Sequence, residues 1–247
     1  MDFFPDTAAG PVTGESDTLD KPDWDDLEVT WGQGGAKSFM KQPRTVQEAT
    51  DAGFVQVGSS VCGENGVYNG IAYVKDEDYS VTLLFDVNGF IAGIQHGIPK
   101  QDADTTGYPS EKIQPPMVLV EDRYVLTAYF TDPNTICSSG RTRSVFNVEG
   151  TGTDLWLQTG NTASEVTLIP YYQTGLNVTN WTEGKCFPTM GKHYWYNVTV
   201  DMDCDTFYPV FLLYNGGKLN SFGWALLTGL DSVNYEHPII PALGVSA

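Results

Sequence analysis

Positive charge is scarce in this chain: 13 Lys and Arg stand against 31 Asp and Glu, giving a formal charge of −18 and a pI near 4.2. Long-range repulsion on that scale excludes nucleic acid and an anionic membrane surface as partners. Long hydrophobic runs are missing too, and no stretch reaches the roughly 18 to 20 apolar residues that a membrane-spanning helix needs. Absent as well are a Gly-x-Ser-x-Gly elbow, a His-Glu-x-x-His pair, a Walker loop and a Cys-x-x-Cys pair, which removes the commonest serine, zinc, nucleotide and thiol chemistries. With three histidines, a three-histidine metal centre requires all of them to converge. No metal and no cofactor is expected.

What the chain does hold is apolar and aromatic. Its 247 residues are 41% hydrophobic, with 13 Tyr, 12 Phe and 6 Trp, enough for a sizeable core. The 26 Gly and 14 Pro are spread between aromatic and β-branched residues, a composition of many short strands joined by turns. Residues 1–30 differ from the rest: they carry nine carboxylates and one lysine, and read as a flexible acidic arm, with Trp24 and Trp31 as its anchors. Residues 31–247 are expected to form a single antiparallel β domain.

Asn177, Asn180 and Asn197 each open an Asn-x-Thr sequon, a cluster that points outside the cell. Four cysteines, an even number, fit the same oxidising setting. The expected pairs are Cys186 with Cys204, which closes the glycosylated segment, and Cys62 with Cys137 by elimination. The N-terminus has neither a basic nor an apolar leader region, so a secreted form is expected to have lost its signal peptide, with Met1 an added start.

One helix is legible: Thr45 as N-cap, Glu48 as its capping-box partner, Ala49 and Ala52 inside, and Gly53 as the stop. Everything after Cys62 reads as strand and turn. The strongest signal runs from Tyr79 to Val87, turns at Asn88-Gly89 and returns from Phe90 through His96, where Asn-Gly suits a two-residue type I′ hairpin. That register sets Val87 opposite Phe90, Phe85 opposite Ala92, Leu83 opposite Ile94 and Val81 opposite His96, so His96 joins the apolar face. A second hairpin is expected from Met117–Val120 into Tyr124–Phe130. Further strands are expected at Phe146–Val148, Leu155–Leu157 and Val166–Tyr172, with a last hairpin over Phe207–Tyr214 and Leu219–Leu227. Nine or ten strands with one short N-terminal helix make an antiparallel barrel or sandwich.

Candidate sites follow from these placements. His96, facing inward, suits a general base or a structural histidine with its pKa lowered by burial. His237 lies in a Pro-interrupted C-terminal segment and is the second candidate base. Arg141 and Arg143, two of four arginines, flank a Ser-Gly turn suited to an anionic ligand group or to pairing with nearby carboxylates. The segment from Lys192 to Cys204 reads as one long strand with Tyr194 and Tyr196 buried. His193, Trp195 and Asn197 then face solvent, and Trp195 is either a saccharide platform or packed under the glycan. Asp201, Asp203 and Asp205 have the opening rhythm of a calcium loop. Thr206 and Leu212 break that motif, leaving a charged strand edge. The expected function is binding of a small, largely apolar or aromatic molecule inside the barrel or sandwich, with two alternatives. One is a metal-independent enzyme using His96 or His237 with Arg141 or Arg143; the other is carbohydrate or matrix binding through Trp195.

Overall fold

The computed structural model describes residues 24–30, 39–187, 190–230 and 234–236. These are mostly β, 40% strand and 18% helix, in antiparallel sheets. A two-stranded ribbon pairs β1 (Glu28–Val29) with β2 (Met40–Lys41). The large sheet holds β3 (Phe54–Val57), β4 (Ile71–Lys75), β5 (Asp78–Phe85), β6 (Ile91–Pro99), β7 (Val118–Val120), β8 (Arg123–Tyr129), β9 (Leu155–Gln158) and β10 (Val166–Ile169). Its order is β10-β9-β8-β6-β5-β4-β3, with β7 also on β8, so the sheet is open and no barrel closes. The small sheet is a meander of β11 (Trp181–Phe187), β12 (Gly191–Tyr196), β13 (Val210–Asn215) and β14 (Lys218–Trp224).

One core serves both sheets. Leu83, Phe85, Ile91, Ile94 and Ala128 of the large sheet share a cluster with Tyr194, Leu212, Tyr214 and Leu219 of the small one. The other face of the large sheet is also covered at one end, where Ala72, Leu84, Ala92, Tyr129 and Ile136 pack together. This double burial is why Leu83, Leu84 and Phe85 run apolar without alternation. The disulfide between Cys62 and Cys137, with Cα atoms 5.1 Å apart, staples the β3–β4 connection beneath that second cluster.

Helix α1 (Val46–Asp51) is built as its sequence reads. The Thr45 hydroxyl accepts the Glu48 amide, the Glu48 carboxylate accepts the Thr45 amide, and Gly53 follows at φ 88°. Three further helices overturn the strand-and-turn expectation beyond Cys62: α2 (Lys100–Thr106), α3 (Pro133–Ile136) and α4 (Arg143–Glu149). In α4, Thr142 caps the Val145 amide and Gly150 follows the last turn. The strand expected at Phe146–Val148 is thus helical, with Phe146 stacked on Phe90 at 4.6 Å and Val148 in solvent.

The β5–β6 turn is also different. Gly89 has φ 80° while Asn88 stays out of the left-handed region, so this is no type I′ turn, which needs both. Asp86 holds it, one carboxylate oxygen accepting the amides of Asn88 and Phe90. The longer loop inserts a bulge: Leu83 still faces Ile94, but Phe85 faces Ile91 rather than Ala92. The pair of positive φ angles of a type I′ turn occurs at Asp76 (54°) and Glu77 (58°), joining β4 to β5. That turn lacks the Asn-Gly signature.

Candidate functional site

A recess of about 160 Å³ lies on the face of the large sheet turned away from the shared core. Its floor comes from side chains of opposite parity to Leu83 and Ile94, namely Thr82 on β5, Gln95 on β6 and Val125 on β8. Thr82 and Gln95 are 4% and 3% exposed, and Gln95 donates to the Thr127 hydroxyl at 2.9 Å. Walls rise from the β3–β4 connection, where Asn65 accepts the amides of Val67 and Tyr68, and from the tight β7–β8 turn, where Glu121 has φ 53°. Burial raises the Tyr68 phenol above its ordinary pKa, keeping a neutral hydroxyl at this wall.

The rim is closed by a cation–π pair. The Arg123 guanidinium lies 3.7 Å from the centre of the Tyr79 ring and donates to Asp122 at 2.6 Å. Both side chains cross Gly97, at which a Cβ would sit 3.1 Å from the Tyr79 Cβ. Glycine there lets the pair lie against the sheet. The arrangement offers hydroxyl and amide groups below, an apolar wall from Val57 and Ala72, and one cation at the edge.

A second, more open recess of about 480 Å³ lies beside the small sheet, between Tyr172, Gln173, Tyr194 and Lys218. The Gln173 amide donates to the Tyr194 hydroxyl at 2.6 Å, and that hydroxyl donates to Glu183 at 3.2 Å. Lys192 donates to the same carboxylate at 2.7 Å, which holds the Glu183 carboxyl below its ordinary pKa. Asn177 is at the rim.

His96, Arg141, Arg143 and Trp195 line neither recess. His96 does face inward, 2% exposed, with Nδ1 at 3.1 Å from the Ser80 carbonyl and Nε2 at 3.3 Å from the Tyr235 hydroxyl. Burial lowers its pKa to about 4. His237 lies outside the described residues, as does Trp31. Arg141 is 4% exposed and held in structure: its amide donates to Asp86 at 2.9 Å, its guanidinium to the carbonyls of Gly150 and Ile91, and its Nε, without a hydrogen-bond partner, lies 3.9 Å from the Asp86 carboxylate. Arg143 is exposed, with its guanidinium 4.7 Å from the Phe90 ring centre. Arg141 meets β6 at Ile91, five residues before His96, about 17 Å away at ~3.3 Å per residue. The structure therefore does not bring the histidine and this arginine into one site.

The expectation for His193 is corrected. It is 5% exposed, between Phe187 and Phe211, because the outer face of the small sheet carries its own aromatic layer. Trp195 belongs to that layer and is half-buried against Phe207 and Phe211. The long strand ends at Tyr196, since Asn197 turns the chain with φ 52°. Asp203 consequently sits in a turn rather than a strand. It caps the Asp205 amide and pairs with Lys112, and among the described residues no three His, Cys, Asp or Glu side chains gather for a metal.

The Cys186–Cys204 pair does not form, and both thiols are free and exposed. Cys186 lies opposite Lys192 near the β11–β12 turn, whereas Cys204 follows the far end of β12. From Lys192 to Tyr196 alone the strand spans about 13 Å. Asn177, Asn180 and Asn197 are all exposed.

Trp24 does anchor its segment, its carbonyl accepting the Thr151 amide at 2.6 Å and its ring meeting Tyr171 edge-on. Sequence reasoning missed Thr82 and Gln95, although two polar residues opposite one another in apolar strands are the signal that would have marked a face that is not plain core. Arg123 over Tyr79 left no such signal, because the contact crosses β6 at Gly97. Comparison with protein-family models, curated proteins and solved structures finds no match for this chain.

Proposed function

We propose that this protein binds a small molecule, about one ring in size, in the recess over Thr82 and Gln95, and that it does so outside the cell. The observation that carries the reading is a partly enclosed space of about 160 Å³ floored by two buried polar side chains in an otherwise apolar sheet. A cavity of about 150 Å³ holds benzene. Here the hydroxyl of Thr82, the amide of Gln95 and the cation of Arg123 favour a ring that also carries hydrogen-bonding groups. The ligand site thus moves from between the sheets, where aromatic side chains fill the core, to the face behind them.

We read the shared core as that of a two-sheet sandwich, which gives the recess a rigid floor. A disulfide and three exposed sequon asparagines support an oxidising compartment, against which stand the free, exposed thiols of Cys186 and Cys204. The test is a fragment screen by amide NMR with single-ring phenols, amides and heteroaromatics. Binders are expected to shift Thr82, Gln95 and Arg123. Thr82→Val and Gln95→Leu should each weaken them about 2- to 10-fold, the range of one lost hydrogen bond. Binders that map elsewhere, or that ignore both substitutions, overturn the proposal.

A further inference from the structure

The outer face of the small sheet carries an aromatic layer of unusual posture. An added Cβ at Gly184 on β11 would meet Trp195 ring atoms at 3.0 Å, and one at Gly223 on β14 would meet the Phe211 ring at 2.2 Å. Each ring therefore lies down across a glycine of the neighbouring strand instead of standing off the sheet. A ring lying flat offers one face to the sheet and the other to whatever covers it. Trp195, Phe207 and Phe211 remain half-buried, so the layer is not closed over by the described chain.

Two sequons open on this layer. Thr182, the third residue of the Asn180 sequon, is directly opposite Trp195. Trp181 points into the shared core, so Thr182 alternates to the Trp195 side, and Asn180 stands at the bend just before β11. The Asn197 amide donates to the Asn180 carbonyl at 2.8 Å, which makes the two acceptor asparagines cross-strand neighbours at the open end of β11 and β12. Asn197 follows Trp195 by two residues, and Asn180 precedes by two the Thr182 that lies opposite Trp195, roughly 7 Å along extended chain. Both are exposed. The first sugar of an N-glycan has an apolar C–H face and an N-acetyl group that suit an indole ring at this range.

We propose that an N-glycan at the Asn180 and Asn197 pair folds back over the small sheet, with its first N-acetylglucosamine seated on Trp195. The inference rests on the extracellular reading, because the modification needs the secretory pathway, but not on the recess of the large sheet. The sugar acts as a missing piece of the fold: it covers the rings that the chain leaves half open, and it keeps this face from pairing with another molecule.

The test uses the full chain secreted from a glycosylating eukaryotic host. Mass spectrometry should find Asn180 or Asn197 occupied. Melting temperature is then read for the intact glycoform, for protein trimmed to one N-acetylglucosamine, and for protein stripped of sugar. The single-sugar form should melt with the intact one, and the stripped form several degrees lower. Trp195→Ala should abolish that gap, while Asn177→Gln should leave it in place. Should Trp195→Ala fail to fold, the wild type still decides, through an upfield ring-current shift of the first N-acetyl methyl resonance. Secreted protein with both sites empty overturns the proposal, as does a gap that survives Trp195→Ala or an unshifted methyl. Occupied sites without the gap overturn the packing while leaving secretion intact.

Discussion

Lowering the pH should destabilise this protein in part through His96. Its Nδ1 faces the Ser80 carbonyl at 3.1 Å and so carries the proton, leaving Nε2 to accept from the Tyr235 hydroxyl at 3.3 Å. The ring is 2% exposed and lies edge-on to Tyr235. Burial opposes the charged form more than the Ser80 carbonyl and Asp78 favour it, which lowers the folded pKa to about 4. In the unfolded chain the same imidazole titrates near its ordinary value of about 6.5. Between these two values the unfolded state binds more protons, so stability falls as pH drops from about 6.5 to about 4 and does not fall further from this group below that. Two and a half pKa units correspond to about 3 kcal/mol. Urea unfolding at pH 7, 5.5 and 4 would be compared with His96→Asn, whose amide nitrogen still reaches toward Ser80 but does not titrate. Exposed carboxylates contribute equally to both proteins and cancel in the difference. The wild type should lose about 3 kcal/mol more than the variant over that range. Parallel curves would refute a buried neutral His96.

Asp86→Asn should cost about 3–5 kcal/mol in urea, because it leaves the buried Arg141 guanidinium without its anion and turns an amide toward the Arg141 N–H. A loss below about 1 kcal/mol would mean that Arg141 is not held as described. Thr45→Ala removes the α1 cap and should cost about 1 kcal/mol, read from the same unfolding curves. Replacing Cys62 and Cys137 by serine opens a loop of sequence separation 75 and should cost about 4 kcal/mol of loop entropy. Alkylation of the native protein should label Cys186 and Cys204 and spare Cys62 and Cys137; absence of labelling would show that the first two are oxidised.

The β class, the α1 cap from Thr45 to Gly53, the Leu83–Ile94 pairing and the inward face of His96 were all legible in the sequence, because each depends on residues close along the chain or on the two-residue period of a strand. The errors arose where a local signal met a distant partner. Asn88-Gly89 has type I′ chemistry, yet the Asp86 carboxylate captured three amides, including that of Arg141, and drew the turn into a longer, bulged loop. Phe146 looked like a strand residue until Phe90, from another hairpin, gave it a ring to stack on. His193 was assigned to solvent by alternation with the Asn197 sequon on the same strand, and alternation names two faces without saying what covers them; Phe187 and Phe211 cover this one. The Cys186–Cys204 pairing and the Arg123–Tyr79 rim belong to the same class, since spacing cannot tell which strands become neighbours. Local sequence determined the elements and their two sides, and only the tertiary structure decided which sides were buried, because burial is a property of surfaces that meet after the chain has folded.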